Sequence, residues 1–268
     1  MIGLGKWRSM LAALNKVRAT SSSVVSGTEG EISFVSAADS SHFRSFKQLA
    51  TSFKAAYPSS QLHFFDMGLH DEQLEQLQTN FPFVAVQKFD YSRYPAWMNI
   101  KVAAGNYGWK AQIIEEVMTR SQSAFLAWMD AGNVFDAPLR NELSVAVHKG
   151  LFVALASETN EFWTHPSCID SMAAPQRDLR RLQISAAAIV FDIRRSEIRA
   201  LIEEWAAKSR DIEFLAPSGS SRANHRQDQA ILSLLVCRHM RLTRPCENYL
   251  GWHWPKGFLN FRIHQDID

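Results

Sequence analysis

Apolar positions along the chain follow two alternating rhythms. Short runs of strand-forming residues lie at 31–36, 61–65, 83–86, 125–129, 151–156 and 183–191. Between them, apolar residues recur at steps of three or four. Phe43, Phe46, Leu49, Phe53 and Tyr57 form one such stripe, which Pro58 ends. Leu74 and Leu77 mark the inward side of a helix over 71–78. Further helices are predicted over 111–118, from Pro138 to about His148, from Ser196 (with Ile198, Leu201, Ile202 and Trp205 on one face) and over 230–236. Strands alternating with amphipathic helices at this spacing predict an α/β fold with a parallel-type sheet and right-handed crossovers.

The strand ends carry the first chemical signal. The run at 31–36 gives way to Ala37-Ala38-Asp39-Ser40-Ser41, where Asp39 or Ser40 can cap the next helix. The run at 61–65 ends in Asp66-Met67-Gly68-Leu69, and the run at 125–129 in Asp130-Ala131-Gly132-Asn133. Alone, Asp130 reads equally as a turn opener or as a carboxylate delivered to the ligand crevice beyond the strand ends. Three strand-end carboxylates on one edge favour the crevice. The aromatic segment 91–110, with Tyr91, Tyr94, Trp97, Tyr107 and Trp109, is longer than a crossover needs and reads as a binding loop. Lys110 closes it at a helix entrance, where a cation is disfavoured unless an anion lies nearby; it either meets an anionic ligand or faces solvent. Residues 158–181 are predicted to be irregular, a lid or acceptor loop bearing Trp163, His165 and Pro166. Small residues at 185–188 allow close approach of a ligand, of backbone or of a packed helix. His225-Arg226-Gln227-Asp228-Gln229 packs more polar chemistry at a helix start than capping requires, although Asp228 is a good N-cap.

Composition narrows the classes. The 268 residues suffice for one large α/β domain or two small ones. With 46% hydrophobic and 21% charged residues, wholesale disorder is excluded. A net charge of +2 gives no bulk attraction to nucleic acid, which is not expected as a partner. Cys168, Cys237 and Cys246 form neither a disulfide framework nor a zinc spacing, so a reducing, cytoplasmic setting is expected. No apolar run is long enough to span a membrane. Residues 1–20 are basic and amphipathic without a signal-peptide core; they are expected to pack on the domain or fray, with peripheral contact to an anionic membrane face as the alternative. A Ser/Gly-rich linker at 21–30 follows. Neither a Gly-x-Ser-x-Gly elbow nor a GxGxxG fingerprint occurs, which disfavours serine hydrolases and dinucleotide oxidoreductases.

In order, Ser36-Ala37-Ala38-Asp39, Phe65-Asp66-Met67-Gly68-Leu69, Tyr107-Gly108-Trp109-Lys110, Trp128-Met129-Asp130-Ala131-Gly132 and His225-Arg226-Gln227-Asp228-Gln229 resemble the GT-A class of nucleotide-sugar glycosyltransferases, and within it a group found in bacteria and animals. The resemblance runs from about residue 31 to the C-terminus. It implies a single Rossmann-type domain at 31–268 with a mixed, mostly parallel central sheet flanked by helices. Residues 31–136 would form the nucleotide-binding half and 137–268 the acceptor half. It implies that Ala37, Ala38 and Asp39 line the base and ribose with Asp66 beside them, that Lys110 approaches the diphosphate, and that Trp109 also lies on the donor side. Asp130 matches the first carboxylate of an Asp-x-Asp motif that binds ribose and a divalent Mn²⁺ or Mg²⁺. Asp228 would lie on a helix facing the acceptor, as the candidate base, with His225, Gln229 and Trp163 on the acceptor side. The expected activity is transfer of a sugar from a nucleotide-sugar donor to a glycan or lipid-linked acceptor, as in polysaccharide biosynthesis.

One departure stands out. Gly132 replaces the second Asp of the motif, so a metal would lose a ligand. Asn133, Asp136 or the late His264 could replace it, or Lys110 and Arg226 could neutralise the diphosphate without metal. The lost carboxylate also motivates the alternative of a non-catalytic sugar- or partner-binding domain. A nucleotidyltransferase shares the architecture, but no Gly-rich basic loop follows the first strand.

Overall fold

Phe34 and Val35 are neighbours in the first strand, and both are completely buried. Successive strand residues point to opposite faces, so the sheet must be covered on both sides. The computed structural model, which describes residues 31–239, 259–263 and 265–267, shows why. β1 (Ile32–Ala38) is followed by helix α1 (Phe43–Ala56), β2 (Leu62–Asp66), α2 (Asp71–Asn80), β3 (Val84–Lys88), α3 (Gly108–Arg120) and β4 (Phe125–Met129). Phe34 packs into one core with Phe46 and Phe53 of α1, its ring centroid 4.9 Å from that of Phe53. Val35 joins the opposite core with Ile113 and Ile114 of α3. In β4 the same alternation sends Phe125, Ala127 and Met129 to the first core and Leu126 and Trp128 to the second.

The chain continues through the two-residue β5 (Val134–Phe135), α4 (Arg140–Lys149), β6 (Leu151–Thr159), the short helices α5 (Pro166–Ser171) and α6 (Gln176–Leu179), and β7 (Leu182–Asp192). It then forms α7 (Ser196–Lys208), the short α8 (Ile212–Leu215), α9 (Gln227–His239) and β8 (Phe261–Arg262). The main sheet has the order β3-β2-β1-β4-β7-β6. Pairs β1–β2, β2–β3 and β1–β4 are parallel, whereas β7 is antiparallel to β4 and β6. The expected mixed, mostly parallel α/β sheet is thus present. Because β1 has β2 on one side and β4 on the other, the connections diverge there and leave a crevice beyond the carboxyl ends of β1 and β4. Asp39 and Asp130 flank that crevice.

The C-terminal segment returns to this edge. β8 pairs antiparallel with β5, and Glu142 of α4 accepts hydrogen bonds from Asn260 N at 2.8 Å and Nδ2 at 3.0 Å. Further along, Gln265 N donates to Gly132 O at 2.7 Å, Gln48 Nε2 donates to Gln265 O at 3.1 Å, and Ile267 N donates to Ser45 Oγ at 2.8 Å. Glu142 is fully buried, and burial outweighs the Asn260 bonds to push its pKa up from 4.5 to about 7. The folded state therefore binds a proton that the unfolded chain has released between those values, so stability falls as pH rises through that window. Glu142→Gln is expected to remove this decline, roughly 3 kcal/mol across the window from 1.36 kcal/mol per pKa unit. Urea titrations at pH 5 and pH 8 measure it.

Several local expectations are corrected. The helix expected at 111–118 runs from Gly108 to Arg120, which places Lys110 inside its first turn rather than at its entrance. The stretch at 158–181, read as irregular, carries the end of β6 as well as α5 and α6. His165 caps α5 by accepting from Ser167 N, and Pro166 opens it, but elements this short show no helical period. Asp228, read as an N-cap, is the second residue of α9. No helix among the described residues is long and apolar enough to cross a membrane. The basic segment at 1–20, the linker at 21–30 and His264 lie outside the described residues.

Candidate active site

The crevice opens into a cavity of about 800 Å³. Ala37, Ala38 and Asp39 line it from the end of β1, Asp130 to Asn133 from the end of β4, and Ser185 to Ala187 from β7. The small-residue run on β7 has a structural cause for its exposure to the cavity. The β6–β7 register jumps from Val153↔Ile189 to Ala154↔Ser185, so Ala186, Ala187 and Ala188 have no partner on β6. Ala187 O accepts from Asp130 N at 2.8 Å and from Asn133 Nδ2 at 2.7 Å, and Ala186 O accepts from Lys110 Nζ at 3.1 Å.

Lys110 is the electrostatic centre. It is only 4% exposed, yet its ammonium group lies 2.9 Å from Asp130 Oδ1 and 3.7 Å from Asp228 Oδ2. Burial opposes its charge, but the two carboxylates outweigh burial and hold its pKa above the ordinary lysine value. They also offset the unfavourable dipole at the start of α3. Asp130 Oδ1 takes a second donor, Trp128 Nε1, at 2.7 Å. Asp228 is buried, and desolvation raises its pKa to about 6 despite the Lys110 charge. Its Oδ2 has no hydrogen bond. One cation thus sits between two carboxylates, one partly open to solvent and the other buried.

The remaining predicted residues divide clearly. Trp109, Trp163, Arg226 and Gln229 line the cavity. Trp109 donates to Ala104 O at 3.0 Å. Gln229 accepts from Ala186 N and donates to Gln183 Oε1, so its amide holds the irregular part of β7 in place. Lys110 spends its donors within the protein rather than facing solvent. Two expected contacts are corrected. Asp66 is buried and does not line the cavity; its Oδ1 accepts from Gly68 N at 2.8 Å and Leu69 N at 2.6 Å, which closes the turn after β2. His225, expected on the acceptor side, is buried in the protein core. Its Nδ1 accepts from His165 N, and its Nε2 donates to the carbonyls of Phe214 and Leu215. Burial pushes its pKa down to about 4, so it stays neutral and structural.

The structure also brings in residues that the sequence reading missed. His42 Nδ1 lies 2.8 Å from Asp39 Oδ1. That bond outweighs partial burial and lowers the Asp39 pKa to about 2, while raising that of His42. The three-residue spacing of an acid and a histidine before a helix was the available signal. Asp266 lies at Gly132: a Cβ built on that glycine would be 2.3 Å from Asp266 Oδ1. The carboxylate missing from position 132 is therefore matched in space by one from the C-terminal segment. Finally, Ala103, Ala104, Gly105, Asn106 and Tyr107 all have positive φ, between 45° and 60°, at the cavity rim. For non-glycine residues this costs roughly 1–2 kcal/mol each, so surrounding contacts must impose it. Gly105 is packed where a Cβ would fall 2.2 Å from Met98 O and 2.9 Å from the Trp109 ring. Gly105→Ala is expected to destabilise the protein by about 1–3 kcal/mol through forced overpacking, read as a lower midpoint in urea.

Comparison with known proteins bears on the fold. Residues 7–115 match a family described as a protein of unknown function (DUF1647). No curated protein matches the sequence. Among solved structures, the galactosyltransferase LgtC in complex with donor and acceptor sugar analogues is similar over 87% of this chain and 86% of its own, with 12% identity and a TM-score of 0.55. An active-site mutant of LgtC aligns over 76% of this chain and 69% of its own, at 15% identity and a TM-score of 0.49. The bifunctional glycosyltransferase WbbM aligns over 76% of this chain and 37% of its own, at 14% identity and a TM-score of 0.49. The chain has a GT-A-type glycosyltransferase fold.

Proposed function

We propose that the protein is a glycosyltransferase that moves a sugar from a nucleoside diphosphate to a hydroxyl of a glycan or lipid-linked acceptor. The observation that carries this reading is the Asp130–Lys110–Asp228 cluster in a cavity at the carboxyl ends of β1 and β4. The nucleotide would lie along Ala37 to Asp39, and the diphosphate toward Asp130. Transfer forms a bond from the acceptor oxygen to the anomeric carbon and breaks the bond from that carbon to the diphosphate, which leaves with the electron pair. Asp228 would take the acceptor proton, and a carboxylate with a pKa near 6 is a more competent base than an ordinary one. Lys110 acts through the carboxylates, holding Asp130 in place and keeping Asp228 ionised near neutral pH.

A divalent cation fits part of this wall. Asp130, Asp266 and the Asn133 amide present oxygen donors of the type Mn²⁺ and Mg²⁺ prefer, and Asn133 Oδ1 is buried without a hydrogen bond. Among the described residues no group of three or more His, Cys, Asp or Glu is placed to hold a metal. The donor's phosphate oxygens would therefore have to complete the coordination. When bound, the cation would supply charge stabilisation to the leaving diphosphate. Gly132→Ala should displace the Asp266 carboxylate and weaken Mn²⁺ binding about tenfold, measured by titration of the free-Mn²⁺ electron spin resonance signal, while an unchanged affinity would remove Asp266 from the cation site.

A thermal-shift screen with UDP, GDP and CDP, each with Mn²⁺ or EDTA, tests the donor assignment. A ligand that binds only the folded state raises its stability. One nucleotide is expected to raise the melting temperature of wild type but not of Asp130→Ala. No shift with any of the three would overturn the reading.

A further inference from the structure

Arg222 and Arg226 line the cavity, and neither forms an ion pair among the described residues. Arg226 lies over the Trp163 ring, its guanidinium carbon 4.2 Å from the centroid. Its backbone N–H donates to Trp163 O at 3.1 Å, which fixes the pair relative to the loop after β6. Its Nε is buried and has no hydrogen-bond partner. Arg222 lies over Tyr107, 5.8 Å from the ring centroid, and donates to the tyrosine hydroxyl at 3.3 Å. Burial and the nearby Arg222 charge both disfavour the cationic form of Arg226. Two neighbouring guanidinium groups, one with a buried unused donor, present the donors that an anion would use.

The position of this pair decides between two sources for the anion. Asp39 ends β1 and Asp130 ends β4, whereas Trp163 follows β6, two strands beyond β4 in the sheet. Gln183 of β7 donates its Nε2 to Trp163 O at 3.2 Å, and because β7 runs antiparallel to β4, Gln183 lies beyond the carboxyl end of β4, roughly 13 Å further out than Ala187 at about 3.3 Å per residue. The nucleotide crevice lies at β1 and β4, so the shelf lies past the transferred sugar. Trp163 and its neighbour Phe162, whose side chain is exposed, add aromatic surface there.

Resting on the glycosyltransferase reading above, we propose that the acceptor is an acidic saccharide whose carboxylate, sulfate or phosphate is received by Arg226 and Arg222. Guanidinium groups held over aromatic rings suit such planar or multidentate anions better than a lysine would. The acceptor's acidic group then orients the hydroxyl that Asp228 deprotonates.

The test compares methyl β-D-glucuronide with methyl β-D-glucoside by saturation-transfer NMR titration, on wild type, Arg226→Gln and Arg222→Gln, each presaturated with the nucleoside diphosphate that stabilises wild type. The glucuronide is expected to bind wild type at least about tenfold more tightly than the glucoside. Both variants should lose that preference while keeping the nucleotide-induced rise in melting temperature. Arg222 is exposed, so its variant remains informative if Arg226→Gln fails to fold. Equal binding of the two glycosides to wild type would overturn the proposal. So would variants that lose the nucleotide shift and retain the glucuronide preference, because the arginines would then serve the donor diphosphate. If no nucleoside diphosphate stabilises wild type, the glycosyltransferase reading itself fails; a glucuronide preference that the arginine variants abolish would then still establish the anion site.

Discussion

Replacing Lys110 by methionine is expected to destabilise the protein by about 3–5 kcal/mol, the range for removing one partner from a buried ion pair. The size of the effect follows from what remains. Asp130 keeps its Trp128 bond and is partly open to water, so solvent screens most of its share. Asp228 is buried, and its Oδ2 has no hydrogen bond to fall back on. Its pKa already lies near 6, and without the cation it would rise further. The loss should therefore be greater at pH 8, where ionisation is demanded, than at pH 5, where protonation relieves it. A Lys110→Met/Asp228→Asn double variant should recover part of the stability, since it buries no unpaired charge. Urea denaturation of both variants at the two pH values checks this; a Lys110→Met protein as stable as wild type at pH 8 would contradict the described ion cluster.

Asp228→Asn should lower turnover by about 10²–10⁴-fold, the usual contribution of a positioned general base. Asparagine keeps the shape and removes the charge, so nucleotide binding should survive while chemistry fails. The pH profile separates this from a merely structural role. Asp228 must be ionised to accept a proton, so wild-type turnover is expected to fall as pH drops through about 6. That acidic limb should vanish from the residual activity of the variant. A limb that persists unchanged would assign it to another group.

Much of the sheet was legible because local patterns reported it directly. β1, β2 and β4 appear as apolar runs ending in acids, and the stripe of Phe43, Phe46, Leu49 and Phe53 is α1 seen in sequence. The site was less legible because its contacts are remote. Lys110 read as either solvent-facing or ligand-facing, and its actual partners include a carbonyl 76 residues away and Asp228 beyond it. No local rule could place Asp266 at Gly132, although a glycine beside a strand-end acid is a hint of close approach. His225 looked chemical from its neighbours, but it is buried and bonded to backbone, and burial outweighs the two carbonyl groups it donates to and keeps it neutral. The left-handed turn before α3 contradicts the propensities of its alanines and tyrosine. It is imposed by the packing of Gly105 against Met98 and Trp109 and by the Trp109 bond to Ala104.

The central claim is most directly tested by incubating wild-type protein and Asp228→Asn with UDP-, GDP- and CDP-sugars, with Mn²⁺ and a pool of neutral and acidic saccharides, and measuring free nucleoside diphosphate and glycosylated product by mass spectrometry. One donor is expected to be consumed by wild type, with product and nucleoside diphosphate formed in equal amounts, and the reaction should be at least about a hundredfold slower in the variant. Binding of a nucleotide sugar without its consumption, or equal rates in the two proteins, would contradict a transferase centred on Asp228.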